Sequence, residues 1–309
     1  MKHCFRNKKV LVTGANGFIG AHLVVALERE GAEVFALVRR HSDPARLVTL
    51  QSRAKRTVLD LLDFEAVRTE LAAIQPNYVF HTAVGRDSDR WQSSIDLNGS
   101  ATINLLQASL SPSLEKFVHC GSSLEYGDIK APFREADAIK PNSLFGVSKA
   151  AGTLQLQQLA LGKGFPVVIL RLFHVYGILE SEHRLVPTAI RSYLANRPIA
   201  LTGTGYQHDF VYVSDVVKAC LLAAAQGVSG QIFNIGSGTP VTNEQVVAQI
   251  GRISGKQVEV KTGAFPAREW DRTDWYADIS KAKSQLGWQA DTSLEDGLRQ
   301  CIAWHLDHE

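Results

Sequence analysis

Close to its start the chain passes from an apolar strand through spaced glycines into an amphipathic helix, and few folds accommodate that order. Residues 8–12 read as a strand buried on both faces, because Val10, Leu11 and Val12 leave no polar side to present to water. Gly14, Gly17 and Gly20 follow, and residues 18–29 place Ile19, Leu23, Ala26 and Leu27 at helical spacing until Gly31 ends the helix. Glycines so placed allow a tight turn, a close approach of backbone to an anionic ligand, and tight packing of helix on strand. Together these features predict a nucleotide-binding α/β unit.

The alternation continues. Further short apolar strands are expected at 33–38, 57–59, 78–80, 116–120 and 167–170, each separated from the next by a helical stretch. That spacing predicts an α/β fold, a Rossmann-type doubly wound parallel sheet covered on both faces, with ligands at the carboxyl ends of its strands. After Gly177 the pattern loosens: a helix with loops over 178–198, a turn at Gly203-Thr204-Gly205, and short strands at 210–213 and 232–234 around a helix at 214–225. Both strands are read as candidates to return to the main sheet. Helices over 242–253, 281–286 and 294–306 close the chain. The chain then divides into a dinucleotide-binding domain, 1–175 with about 210–235, and a smaller, discontinuous C-terminal substrate lobe, 176–209 with 236–309.

Composition works by exclusion. With 309 residues and 45% apolar content the chain can bury a sizeable core. Its 33 Lys+Arg against 31 Asp+Glu give a formal charge of +2, too weak a field to suggest nucleic acid or a membrane surface as partner. Cys4, Cys120, Cys220 and Cys301 include no Cys-x-x-Cys, which points to free thiols in a reducing compartment and to no metal. The run Val10-Leu11-Val12 is too short for a signal sequence, and no apolar run approaches the ~18 residues a spanning helix needs. The expected location is the cytoplasm.

The end of the second strand bears on which dinucleotide is bound. An acid there binds a ribose 2′-hydroxyl, whereas arginine accommodates a 2′-phosphate. Arg39 and Arg40 occupy this place, and the nearest acid, Asp43, comes several residues late. NADP(H) is therefore expected over NAD.

Further motifs join the glycine turn. Leu59-Asp60-Leu61, His81-Thr82-Ala83, Asn98, Ser122-Ser123 and Lys149 follow, and then residues 170–177, Asp209-Phe210-Val211-Tyr212-Val213-x-Asp215, Asn234-Ile235-Gly236-Ser237-Gly238 and Asp278-Ile279-Ser280-Lys281. Over essentially its whole length the chain resembles the nucleotide-sugar branch of the extended short-chain dehydrogenase/reductases. The resemblance implies that Gly14, Asn16, Gly17, Phe18, Ile19 and Gly20 cradle the cofactor, with Arg39 and Arg40 at its ribose. It also implies that Asp60 and Leu61 contact adenine, that Thr82 and Ala83 line phosphates and ribose, and that Lys149 binds the nicotinamide ribose. Taken alone, Asp60 has a plainer reading as a turn residue. Asn98 and Ser122 would lie near nicotinamide and sugar, and Phe173 would cover the nicotinamide. Ser123, His174, Leu185, Val186, His208 and Arg268 would meet a nucleotide-diphosphate sugar, with His208 where the family carries a diphosphate-binding arginine. Such proteins often form homodimers through two helices, here one beginning near Phe145 and another over 98–110.

Within the branch, the chain looks most like the NADPH-dependent 4-ketoreductases that finish deoxysugars, such as CDP-abequose and CDP-paratose synthases. Related 4,6-dehydratases carry Thr-Asp-Glu where this chain has Ser122-Ser123-Leu124, and a one-residue offset turns Glu125 to the opposite side of a strand. Dehydration is disfavoured.

One departure bears on the chemistry itself. The family's Tyr-x-x-x-Lys is here Phe145-Gly146-Val147-Ser148-Lys149, which keeps the ring and removes the acid. General acid catalysis typically contributes ~10²–10⁴-fold, so the chain is expected to bind both ligands yet turn over slowly unless Ser122 or a water supplies the proton. A Tyr→Phe substitution made to trap a complex, an enzyme with a relocated acid, and a non-catalytic NADP(H)-binding protein all produce this pattern. The leading expectation is an NADPH-dependent reductase of a nucleotide-diphosphate 4-keto-6-deoxysugar, with Ser122 polarising the carbonyl. A nucleotide-sugar 4-epimerase on retained NAD(P) is the alternative.

Overall fold

In the computed structural model, which describes residues 4–85, 91–267 and 272–308, strand and helix alternate as the sequence predicts. The order begins β1 (Lys9–Thr13), α1 (Phe18–Arg29), β2 (Glu33–Val38), α2 (Ala45–Thr49), β3 (Lys55–Val58), α3 (Phe64–Ile74) and β4 (Tyr78–His81). Next, α4 (Trp91–Ile95) runs through a π-helical turn, Asp96–Ser100, into α5 (Ala101–Ser109), followed by β5 (Lys116–Ser122), α6 (Leu144–Lys163) and β6 (Val167–Leu172). The remainder comprises β7 (His174–Tyr176), α7 (Leu185–Leu194), β8 (Ile199–Ala200), β9 (Gln207–Tyr212), α8 (Val213–Gln226), β10 (Ile232–Ile235), β11 (Pro240–Thr242), α9 (Asn243–Ser254), β12 (Val260–Lys261), α10 (Ser280–Leu286) and α11 (Leu294–His308).

Among the described residues, seven parallel strands form the main sheet in the order β10-β6-β5-β4-β1-β2-β3. Successive strand side chains point to opposite faces, so each apolar run feeds two cores. Val10 and Val12 join Leu23, Leu27, Val216 and Leu286 on one face, whereas Leu11 joins Val67, Leu71, Leu105 and Leu156 on the other. The strand order reverses between β1 and β4. Loops leaving their carboxyl ends diverge there, which is where an open α/β sheet offers a ligand crevice.

Two expectations about the strands are corrected. Residues 210–213 do not rejoin the main sheet; β9 instead lies between β7 and β11 in a separate three-stranded sheet of the described residues, with His174 opposite Phe210. The cause is packing, because Phe210 and Tyr212 are drawn into a separate cluster with Tyr176, Val186, Ile190 and Leu298. Residues 232–235 do join the sheet, alongside β6. β3 starts at Lys55, ahead of the apolar run at 57–59, because an edge strand is set by its one ladder rather than by burial. At the opposite edge, Asn234 N donates to Glu135 Oε1 at 2.8 Å and Asn234 Nδ2 to Phe133 O at 2.8 Å, so the strand's free side is covered. The Thr242 cap is a capping box: its hydroxyl accepts from Gln245 N at 3.1 Å while Gln245 Oε1 accepts from Thr242 N at 2.8 Å. No helix among the described residues is long and apolar enough to cross a membrane.

Candidate active site

The glycine turn sits at the reversal point, where its dimensions are fixed from three sides. Gly14 adopts φ +66°, and a Cβ there would lie 2.7 Å from the Ala83 backbone. A Cβ on Gly20 would lie 2.3 Å from Gly14 O and 2.8 Å from Thr82 Oγ1. Thr82 Oγ1 donates to Thr13 O at 2.7 Å and Ala83 N donates to Thr13 Oγ1 at 3.3 Å, which binds the ends of β1 and β4 together. Gly17 caps α1 with no side chain over the helix end, and Phe18 and Ile19 are half-buried in its first turn. The result is a glycine cradle at the positive end of a helix dipole, a shape and charge suited to a pyrophosphate. Asn16 Nδ2 donates to Ser42 Oγ at 2.8 Å, while its buried Oδ1 has no partner among the described residues.

Arg39 and Arg40 are exposed beyond β2. Asp43 Oδ1 accepts from Ala45 N at 2.9 Å, so that carboxylate serves its own turn. Arg46, which the sequence reading passed over, donates through Nε to Leu179 O at 2.8 Å and through Nη1 to Asn16 O at 3.3 Å. It ties the glycine turn to the segment that leaves β7. Asp60 Oδ1 accepts from Leu62 N at 3.0 Å, its turn role, and Leu61 is buried in the second core.

At the end of β5, Ser122 caps a 3-10 turn over Ser123–Glu125; its Oγ accepts from Leu124 N at 3.2 Å while its N–H donates to Glu125 Oε1 at 2.8 Å. Glu125 is fully buried and receives Arg171 Nε at 2.9 Å and Thr153 Oγ1 at 3.0 Å. Its carboxylate is thus committed to the interior, away from the open side of the turn. The next helix, α6, presses onto this turn at Gly146, where a Cβ would lie 2.4 Å from Leu124 O. Ser143 caps that helix by accepting from Gly146 N at 3.1 Å, which puts the half-buried Phe145 in its first turn and Lys149 one turn later on the same face. Lys149 is 3% exposed and donates from Nζ to Cys120 O at 2.7 Å. Behind it His119 is fully buried, with Nε2 3.5 Å from the ammonium. Burial first, then the Lys149 charge, lowers both neighbouring imidazoles: His81 to about 3, and His119 well below the usual histidine range.

On neighbouring strands of the small sheet, His174 and His208 bring their ring centroids to 5.1 Å, with Phe210 4.5 Å from His174. Arg184 Nη2 lies 3.4 Å from His174 Nε2. Two imidazoles and a guanidinium therefore meet beside the end of β6.

Residues 10–236 match the model of the NAD dependent epimerase/dehydratase family. The chain belongs to this family. The Bacillus subtilis protein described as uncharacterized UDP-glucose epimerase YtcB is 29% identical, covering 96% of this chain and 97% of its own. Among solved structures, the Thermotoga maritima UDP-glucose 4-epimerase with UDP-glucose superposes with a TM-score of 0.90 at 28% identity, covering 97% of this chain and 99% of that one. MoeE5 in complex with UDP-glucuronic acid and NAD gives 0.85 at 31% identity, covering 97% and 100%.

In this epimerase/dehydratase-family chain several predicted site residues serve as supports. Asn98 is 1% exposed, and its amide accepts from Gly85 N at 3.0 Å and donates to Gly85 O and Ser148 Oγ, both at 2.9 Å. It brackets the loop after β4 to α6 and does not face the crevice. Ser123 is buried and accepts from Trp275 Nε1 at 3.0 Å. Val186 is core, packed in the cluster around Tyr176 and Leu298, while Leu185 beside it is half-buried. Phe173 packs against Tyr126 and Phe133 with centroids at 6.5 and 6.1 Å. Arg268 lies outside the described residues. The sequence reading missed Arg46, Arg184, the pairing of Arg171 with Glu125, and His119; a signal for the last was present, since β4 and β5 both carry a histidine after an apolar stretch.

Proposed function

We propose that this chain binds NADP(H) and a nucleotide-diphosphate 4-keto-6-deoxysugar as a 4-ketoreductase whose turnover is limited by Phe145. The glycine cradle, whose positions would clash with any Cβ, fits a dinucleotide lying over the start of α1. When bound, the nicotinamide supplies the hydride. The single observation that carries NADPH, and with it net reduction, is the end of β2, where Arg39 and Arg40 are exposed and the nearby Asp43 is turned onto its own backbone. Lys149 would hold the nicotinamide ribose, and the Ser122 hydroxyl would polarise the keto oxygen. Phe145 fills the place of a proton donor without donating. Arg184 supplies a positive charge, and His174 and His208 supply ring nitrogens, for a diphosphate. With Glu125 paired to Arg171 and Ser123 to Trp275, no carboxylate of this turn serves water elimination. The two-part division, 1–175 with about 210–235 against 176–209 with 236–309, belongs to this reading, except that 210–212 pack with the second part.

Restoring the donor tests it. Phe145→Tyr should raise NADPH oxidation with a 4-keto nucleotide sugar by at least ~10²-fold; an unchanged rate removes position 145 from the chemistry. A second reading, a 4-epimerase on retained NAD(P), is favoured by what the Thermotoga maritima and Bacillus subtilis proteins are called. Epimer formation without stoichiometric NADPH oxidation would select it. A non-catalytic NADP(H)-binding protein would show no affinity for nucleotide sugars by calorimetry. Homodimerisation through α6 is part of the proposal: Ala150 and Leu156 are core, but Leu144, Val147, Leu154 and Leu161 are exposed on that helix.

A further inference from the structure

Two imidazoles lie side by side beneath the candidate site, and their surroundings differ. His81 and His119 are register partners on β4 and β5, with ring centroids 5.3 Å apart. His81 is closed at both nitrogens: Nδ1 lies 2.7 Å from Thr13 Oγ1 and Nε2 lies 2.9 Å from Thr102 Oγ1. Thr102 Oγ1 donates to Asn98 O at 3.0 Å and so accepts from Nε2–H, while Thr13 Oγ1 donates to Nδ1, which fixes this ring as its Nε2–H tautomer in a structural role. Among the described residues His119 has no such hydroxyl partners. Its Nδ1 meets none among the described residues, and its Nε2 faces the Lys149 ammonium at 3.5 Å.

The geometry points to His119 as a positioning residue for Lys149, its Nε2 lone pair acting with the Cys120 carbonyl to fix the ammonium at the carboxyl end of β5. An ammonium only donates, so Nε2 must be the unprotonated nitrogen and the ring's proton must sit on Nδ1. That choice buries an N–H without an acceptor, which is unfavourable by itself. It is offset because the other nitrogen meets a cation in a site closed to water, where such a contact is strengthened. Burial and the adjacent Lys149 charge both keep the ring neutral, as the contact requires. The alternative tautomer would aim an N–H at the ammonium and repel it. The tautomer of His119 is thereby tied to the lysine, whereas that of His81 is set by Thr13 and Thr102.

The inference rests on Lys149 as the ribose-binding group, but its first test needs no ligand. Nitrogen-15 NMR of histidine-labelled, ligand-free protein should find His119 as the neutral Nδ1–H tautomer at pH 7, and Lys149→Met should release it toward Nε2–H while His81 stays unchanged. An Nε2–H tautomer in the unaltered protein overturns the proposal, even if Lys149→Met does not fold. In a second arm NADPH affinity is read by its fluorescence. His119→Phe keeps the ring and removes the acceptor, and should weaken NADPH about tenfold, as for loss of a hydrogen bond to a charged group. His119→Gln carries an oxygen to the same place and should restore most of that loss. Equal weakening in both variants, or none in His119→Phe, overturns the positioning role. These arms are indifferent to the sugar reaction, so a failed Phe145→Tyr rescue would leave them intact and a wrong tautomer would leave that rescue intact.

Discussion

Replacing Arg171 by Met should destabilise this protein far more than replacing both Arg171 and Glu125. The pair is buried on both sides, with side-chain exposures of 3% and 0%, and its Nε–Oε2 distance is 2.9 Å. Arg171→Met removes the only cation the carboxylate touches among the described residues. Ser122 N at 2.8 Å and Thr153 Oγ1 at 3.0 Å remain on Oε1, but Oε2 is left facing a methyl group. Breaking a buried pair from one side typically costs ~3–5 kcal/mol, because an uncompensated charge stays behind. The guanidinium also lies 4.5 Å from the Tyr126 ring centroid, so the upper end of that range is expected. A fall in Tm on the order of 10 °C follows. Arg171→Met combined with Glu125→Gln removes the charge itself, and urea unfolding should then recover at least half of the loss. The reasoning fails if Arg171→Met costs under ~1 kcal/mol, or if the double variant costs as much as the two single changes added together. Because Glu125 also fixes the Ser122 backbone, Glu125→Gln should disturb NADPH-dependent turnover more than NADPH affinity.

Other outcomes are equally specific. Gly20→Ala puts a methyl 2.3 Å from Gly14 O, so the turn must open; ~1–3 kcal/mol of overpacking strain should lower Tm, and calorimetry should find NADPH binding weakened by at least ~10-fold. Arg39→Ala with Arg40→Ala should reduce affinity for NADPH by ~10-fold or more while leaving NADH nearly unchanged, and equal losses for both would remove the arginines from 2′-phosphate recognition. His81 is held near 3 in the folded state, so below its unfolded value of ~6.5 the unfolded chain binds the proton first and stability falls as pH falls. Between pH 7 and pH 5 that single group removes ~2 kcal/mol, and His119 acts in the same direction. Urea midpoints that stay level over this interval would contradict the buried neutral state.

What the sequence by itself determined is what short-range pattern can carry. Val10-Leu11-Val12 had to be a doubly buried strand, Gly14 and Gly20 had to replace any side chain at the turn, and Thr242 with Gln245 had to begin a helix, because each depends on neighbours within a few residues. The helix frame likewise put Phe145 and Lys149 on one face before any coordinates. Tertiary structure alone decided which partner each element chose. Residues 210–213 read as a strand, but only the apolar pocket around Tyr176 and Leu298 could assign the strand there to the small sheet. Asn98 looked like a ligand contact until Gly85 and Ser148 closed around its amide. Glu125 and Arg171, 46 residues apart, and His119 and Lys149, 30 apart, carry no local signature of their pairing. Periodicity records the burial of a face, whereas the identity of the group buried against it is set by chain closure over distances that no local pattern spans.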